Sequence, residues 1–461
     1  MPASPLIQLI SVGQIDDYFS TNPQISYFKY AYKRHTRFAM ESLKITFDST
    51  EPTFKSSDND SYRLKVPRHG DLLLDMNLVF KFPNVYSDRN FRFRWVENAG
   101  VLFIKKAELF LGGYARAIDT LYGEWLTIWN ELTMSSARQN SHSNLVGNVF
   151  ELTNPFLKQK KIQYINNRVS YTYYPESDLN SETPSIESRK VSIPLPFYFT
   201  KNPALALPLC ALQTNEIILR IETENVENLY TIYDDILDKH ISSAYYNQRH
   251  NTNISIHTFV KETTISIEPY AECKYAYLDN DERAMISLNK RNNEFLIENI
   301  YRKNTEIVDG SSTIELNLST PVKEIIWTTR RRDYRNYNSA TNYTLEVPNN
   351  NNKSILKTAK ILWNRSNERV EEKEAFYYNK IIPYQHHTNV PKQGIYCYSF
   401  ALNPEKTQPS GYFNPSGKYP ISTNVYITCD TESNLEFEIT FWVISYNILH
   451  LIGGQGSLKF A

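Results

Sequence analysis

The sequence predicts an all-β protein, and three observations carry that prediction. Apolar and polar side chains alternate with period two in many short stretches. Aromatic residues are abundant, with 33 Tyr and 23 Phe, and Pro outnumbers Gly by 22 to 14. Aromatic and β-branched side chains suit pleated, half-buried surfaces. Pro-stiffened corners suit loops that join strands better than flexible linkers do.

The alternation places the strands in order. From Leu74 to Phe82 every even position is apolar and all but one of the odd positions are polar. Ile314–Leu318 and Leu435–Phe441 repeat the pattern, and Ile104–Leu111, Ile217–Glu222, Thr263–Glu268 and Ile325–Thr329 are further candidates. One face of each would meet a core and the other water or a neighbour, as in antiparallel sandwiches and jelly rolls. One helix stands out: after Asp119 as N-cap, Leu121, Trp125, Ile128, Trp129 and Leu132 form a single apolar stripe. A shorter helix is predicted over Asp281–Leu288. Asn225–Thr252 and Arg330–Lys353, the latter with the tract Asn349–Asn352, read as long loops.

At 461 residues the chain exceeds the roughly 250–300 residues at which single cores stop growing, so two domains are expected. Fifty basic and fifty acidic side chains give zero net charge, which argues against a nucleic-acid binder. The single basic run, Arg330-Arg331-Arg332, is followed by Asp333 and reads as a solvated loop. Cys210, Cys273, Cys397 and Cys429 lie far apart without CxxC spacing, as reduced core residues do. The opening Met1–Ser20 has no basic region and too short an apolar run for a signal peptide. Nothing reaches the ~18 apolar residues of a membrane span; Phe441–Ile452 comes nearest and is broken by Ser445, Asn447 and His450.

No catalytic, cofactor-binding or metal-binding residue is predicted. His386-His387 is the single histidine pair, and adjacent residues on an extended segment point to opposite faces. With no third ligand nearby, a loop or interface role is expected. Asp16-Asp17 and Glu371-Glu372 are adjacent acids in predicted polar loops, the latter pair beside basic residues, unsuited to paired acid–base work. Gly453-Gly454-Gln455-Gly456 lacks the Lys-Ser/Thr of a phosphate loop and reads as a tight terminal turn. Sequons stand at Asn59, Asn253, Asn317, Asn342, Asn352 and Asn364; the loop sites Asn342 and Asn352 are the favoured ones, and Asn317 falls in a predicted strand.

Ordered motifs along nearly the whole chain resemble the major capsid proteins of the nucleocytoplasmic large DNA viruses. They begin with Leu6–Leu9, Asp16-Asp17-Tyr18, the aromatic-basic Gln24–Lys29 and Tyr32–Ala39, and Arg68-His69-Gly70-Asp71-Leu72. They continue through Gly112-Gly113, Tyr122-Gly123-Glu124-Trp125, Pro194–Phe199, Ala204–Gln213 and Tyr277-Leu278-Asp279. Phe295–Glu298, Tyr377–Lys380, Pro383-Tyr384-Gln385, Tyr396–Leu402, Gln408–Gly411 and Tyr446–Leu449 complete the series.

The resemblance implies a double jelly roll of two tandem eight-stranded barrels with short helices in loops. It divides the chain into an N-terminal arm (1–25), a first jelly roll (26–279), a connector (280–293) and a second jelly roll (294–461). It implies a homotrimeric, pseudo-hexagonal capsomer beside neighbouring capsomers, in a virion assembled in the host cytoplasm. No enzyme activity, cofactor or nucleic-acid contact is implied. The segment 225–252 looks like an insertion, and 330–353 looks shorter than the loops of some relatives. Leu6, Ile7, Leu9, Ile10 and Val12 of the arm suit either a strand across its own barrel or docking on minor capsid and penton proteins. A minor or paralogous capsid or scaffold protein, or a carbohydrate-binding β-sandwich, are the alternatives.

Overall fold

The computed structural model describes residues 4–48, 61–88, 90–112, 116–155, 159–165, 168–172, 177–262, 265–287, 293–307, 310–348, 352–363, 367–415, 425–431 and 436–460. The chain divides into two units, one ending at Phe38 and one running from Ala39 to Ala461. The first contains two seven-residue helices, Ser4–Ile10 and Gln14–Ser20, where a strand was one expectation. The Asp16 carboxylate accepts from the Gly13 amide at 2.8 Å and closes the second helix at its start. The aromatic-basic Tyr27–Arg37 is irregular, and strand structure begins only at Phe38.

The first half of the chain supplies β1 (Phe38–Thr46), β2 (Ser61–Val66), β3 (Leu72–Phe82), β4 (Arg94–Trp95), β5 (Ile104–Leu111), β6 (Asp119–Leu121) and β7 (Gln159–Ile165). It continues with β8 (Arg168–Thr172), β9 (Arg189–Pro194), β10 (Leu207–Pro208), β11 (Ile217–Thr223), β12 (Tyr230–Asp234), β13 (Lys239–Ile241) and β14 (Tyr270–Leu278). One sheet runs β1–β14–β3, with β9 on Asn77–Phe82 and β10 on Leu72–Leu73 sharing the far edge of β3. The facing sheet runs β2–β11–β5–β6. Leu64, Leu78, Phe80, Phe82, Leu109, Leu219, Ala271 and Tyr275 fill the space between them.

The parity of β3 is not uniform. Leu73 is buried, and then the even residues Met76, Leu78, Phe80 and Phe82 are. The pairing with β14 slips at this point, Lys274 opposing Asp75 while Tyr275 opposes Leu73. Leu74 is the extra residue of a bulge, and one extra residue moves every following side chain to the other face.

The second half supplies β15 (Asn293–Ile307), β16 (Ser311–Leu316), β17 (Val322–Arg331), β18 (Leu356–Trp363), β19 (Asn367–Glu374), β20 (Ile395–Ser399), β21 (Val425–Thr431), β22 (Phe437–Ile452) and β23 (Gln455–Leu458). The order β15–β22–β17–β20, with β23 on β22, faces β16–β21–β18–β19. All pairings in both sandwiches are antiparallel among the registers described. Ile314, Leu316, Ile325, Trp327, Ile361, Ile439, Phe441 and Val443 form this sandwich's interior.

Several expectations change. The helix begins at Gly123 and ends at Thr133 with Tyr122 at its cap; Asp119 is not a cap but a buried residue of β6. The expected loop 225–252 holds β12, β13 and the helix Ser243–His250, whose cap Ser242 accepts from the Tyr245 amide at 3.2 Å. There Asp234 accepts the amides of Ile236 and Leu237 at 2.8 and 3.1 Å, building the turn between the two strands. Within 330–353, Arg332–Tyr337 is a 3-10 helix, and Asn349–Asn351 lie outside the described residues. Of the candidate Thr263–Glu268, positions 263 and 264 lie outside the described residues, and Ile265 and Ile267 are buried without joining a named strand. The second expected helix runs Asn280–Ser287. Among the described residues no helix is long and apolar enough to cross a membrane, and Phe441–Ile452 lies within β22.

Candidate functional site: the seam between the sandwiches

β17 and β22 are buried on both faces, although period-two strands of a sandwich were expected to show one face to water. Their odd residues Ile325, Trp327, Ile439, Phe441 and Val443 face their own interior. Their even residues Ile326, Trp442 and Ile444 join the core of the first sandwich. The second sandwich therefore has a covered outer face, and the helix Gly123–Thr133 packs against it at Trp442.

This helix fits closely because it starts on glycine. A Cβ at Gly123 would stand 2.3 Å from the Ile104 carbonyl oxygen and 2.5 Å from that of Val101. Trp125 stacks on Trp129 at 5.4 Å and meets Trp442 at 5.7 Å, while Tyr122 meets Trp442 at 5.4 Å. The Arg302 guanidinium lies 5.1 Å from the Trp442 ring and 5.4 Å from the Tyr122 ring.

Charges lock the same seam. Glu124, in the helix's first turn, receives Arg330 at 3.4 Å and Arg302 at 3.5 Å. Arg330 also faces Glu438 at 3.8 Å and donates to the Ala340 carbonyl at 2.9 Å. Burial works against its charge, but Glu124 foremost keeps the guanidinium firmly protonated. The basic run is thus not a solvated loop: Arg331 pairs with Asp333 at 2.6 Å, and Arg332 with Glu436 at 2.9 Å. Asn338, buried with a left-handed φ of 46°, donates to the carbonyls of Glu227 and Tyr230 at 2.7 Å each.

A second charged chain crosses nearby. Lys201 meets Glu298 at 2.7 Å, and the other Glu298 oxygen contacts Lys323. Burial alone would raise the Glu298 carboxyl, but the flanking Lys201 and Lys323 hold it below its usual range. Asp119 accepts the Tyr198 amide at 2.8 Å, and burial pushes its pKa up to about 6 against the pull of Lys201.

The histidine pair separates in role. His386 ends the helix Ile382–His386 and contacts the Leu402 carbonyl at 3.2 Å. His387 is not on a loop surface; its side chain is fully buried, with Nε2 2.6 Å from Glu324 and Nδ1 3.2 Å from Glu405. Cys397 Sγ, Glu324 and His387 each present a ligand atom within 4.8 Å of the others. Trp129 meets the His387 ring edge-on at 6.0 Å, so this cluster borders the seam. Desolvation alone would favour neutral imidazole, but Glu324 foremost holds the His387 pKa up at about 12. Chain-local reasoning missed this cluster because its members come from β17, β20 and the loop after the helix Ile382–His386. One signal existed: Lys323-Glu324 sits inside an apolar strand, where charges require partners.

The remaining motifs take the following places in the fold. Glu371 and Glu372 lie on β19 rather than in a loop, paired with Lys373 and with the Thr358 hydroxyl respectively. Gly453 and Gly454 turn β22 into β23 with φ of 58° and 82°, as a tight turn requires. Cys273 and Cys397 are buried free thiols and Cys210 is half-buried; the Cys429 side chain lies outside the described set. Asn342 is not an open glycosylation site: it is buried and its amide donates to the Glu346 and Pro348 carbonyls. Asn253, Asn317 and Asn352 are exposed, Asn317 just beyond β16, while Asn59 and Asn364 lie outside the described residues.

Two antiparallel sandwiches in tandem, joined by a buried seam, define a double jelly-roll protein. The same fold occurs in the quasi-atomic model of the PBCV-1 virus capsid, with a TM-score of 0.67 and 21% identity over 95% of this chain and 100% of that one. Residues 26–279 match the family described as "Major capsid protein N-terminus", and residues 282–457 match "Large eukaryotic DNA virus major capsid protein". The chain belongs to the major capsid protein family of large eukaryotic DNA viruses. It is 27% identical to the major capsid protein of Phaeocystis pouchetii virus, over all of both chains. It is 29% identical to that of Pyramimonas orientalis virus, over 99% of each.

Proposed function

We propose that this chain is a structural capsid protein whose trimer is a six-cornered brick of an icosahedral shell. The observation that carries the reading is the seam: the aromatic cluster around Trp442 and the Glu124–Arg330 pair fix two similar sandwiches as one block. Three such blocks present six similar sandwiches to a hexagonal plane. Contacts within the trimer belong to the obligate class of roughly 2,000–5,000 Å². Contacts between trimers are individually weak and hold collectively, because later ones form at high effective concentration.

In this reading residues 1–25 are an arm that docks on minor capsid and penton proteins. Residues 26–279 and 294–461 are the two jelly rolls, and 280–293 connect them. Support for the connector comes from its helix, where Arg283 grips Asp71 through two bonds of 2.8 and 2.9 Å. The protein works without catalysis in the virion, is assembled in the host cytoplasm and makes no direct contact with nucleic acid. The test is the mass of the purified protein in solution, followed by electron microscopy. About three times the chain's 53.8 kDa with a hexagonal outline is expected; a monomer at micromolar concentration would overturn the trimer.

A further inference from the structure

We infer that Glu324, His387 and Cys397 form a site for a zinc-class divalent cation at the edge of the seam. Three observations converge. First, one carboxylate oxygen, one imidazole nitrogen and one sulfur lie within 4.8 Å of one another. Tetrahedral Zn²⁺ with bonds of about 2.0–2.3 Å spaces its ligand atoms roughly 3.3–3.8 Å apart, so the cluster needs side-chain adjustments of about 1 Å. Second, the side chains of Glu324 and His387 and the whole of Cys397 are sealed from solvent. Glu324 Oε2 is buried without a hydrogen-bond partner among the described residues. An unsatisfied carboxylate oxygen in such a place is costly, and a cation beside it removes the cost.

Third, the outer arrangement is that of a metal-bound histidine. Glu405 contacts His387 Nδ1 at 3.2 Å and is itself held by the Thr388 amide at 2.7 Å and the Thr388 hydroxyl at 2.5 Å. A carboxylate on Nδ1 fixes the tautomer with the proton there and turns the Nε2 lone pair inward, towards Glu324 and Cys397. Thiolate and imidazole select a borderline-soft ion over Mg²⁺ or Ca²⁺. Binding displaces the Cys397 thiol proton and the imidazolium proton, both released to solvent. Without metal, the imidazolium itself neutralises Glu324. The ion would tie β17 and β20 to the segment that follows the helix Ile382–His386, and Asn389 of that segment is anchored to the Leu132 carbonyl at 2.9 Å.

The test uses the full chain, stripped with a chelator and titrated with CoCl₂. Expected are about one equivalent of Co²⁺ per chain and a thiolate-to-cobalt charge-transfer band in the near ultraviolet, displaced by ZnCl₂. Cys397→Ser removes the band, and Cys273→Ser, at a buried thiol outside the cluster, retains it. Should Cys397→Ser not fold, X-ray absorption on the cobalt-loaded wild type decides: one sulfur with nitrogen and oxygen scatterers upholds the site. Folded wild type that gives no band overturns it, as does a band surviving in folded Cys397→Ser or a sulfur-free cobalt environment.

Discussion

Glu124 serves two guanidiniums at once, and that makes it the most consequential carboxylate of the seam. Replacing it by Gln keeps the shape but leaves buried Arg330 with only the more distant Glu438 as a carboxylate partner. Removing one partner of a buried pair costs about 3 kcal/mol or more. Glu124→Gln should therefore lower the urea midpoint of unfolding markedly, whereas Glu371→Gln, at the exposed end of its pair with Lys373, should leave it in place. Asp119 offers a signed pH test. Its folded pKa of about 6 stands above the 3.8 of an unperturbed Asp, so the folded state holds the extra proton between those values. Its ionisation costs stability as pH rises from about 4 to 6, by roughly 3 kcal/mol at neutrality. The groups facing it are Lys201, the Tyr198 and Thr120 amides and Glu298. Glu298, held low, acts in the opposite direction, losing its contribution as the medium acidifies. The clean observable is thus the difference between wild type and Asp119→Asn: the variant should gain on wild type, in melting temperature, from pH 4.5 to pH 7.

At the scale of elements, the helix Gly123–Thr133 shows what a sequence reveals. Its apolar stripe was legible because period 3.6 needs only local spacing, and Trp125, Ile128 and Leu132 are indeed buried. Its start was misread at Asp119, since the short strand β6 forms only by pairing with β5, a tertiary event with no local mark. Strands β3, β5, β11, β16, β17 and the start of β22 were legible in the sequence, but not strands such as β14, β15 and β18, the bulge at Leu74 or the second covered face of β17 and β22. Those depend on what packs from a distant part of the chain. The same limit hid the meeting of Glu324 with His387, 63 positions away in sequence, and with Cys397 beyond it. Gly123 supplies the element-scale prediction. Ala is a better helix former than Gly, yet here its methyl would enter two carbonyl oxygens. Gly123→Ala should destabilise by about 1–3 kcal/mol, the usual cost of overpacking, where propensity alone forecasts a gain. Thermal melts of the variant decide between the two.

For the whole molecule, the question is whether two sandwiches behave as two folding units. Tandem domains joined by a thin interface melt separately, because each core is complete without the other. Here one core is not complete: Ile326, Trp442, Ile444, Leu449 and Leu451 of the second half cluster with the interior of the first. Opening the seam would also strand Arg330 and Glu298 without partners from the other half. These costs add to the aromatic contacts at Trp442, whose truncation to Ala alone is worth about 3–5 kcal/mol. A penalty of that size exceeds what thermal fluctuation offers, so the halves should unfold together. Calorimetry of the wild type should give one cooperative transition. The double variant Glu124→Gln with Trp442→Ala should give two, the second sandwich, with its separate interior, melting apart from the first. Two resolved transitions in the wild type would mean that the seam is a contact and not a weld, and that the shell gains its rigidity from neighbouring chains.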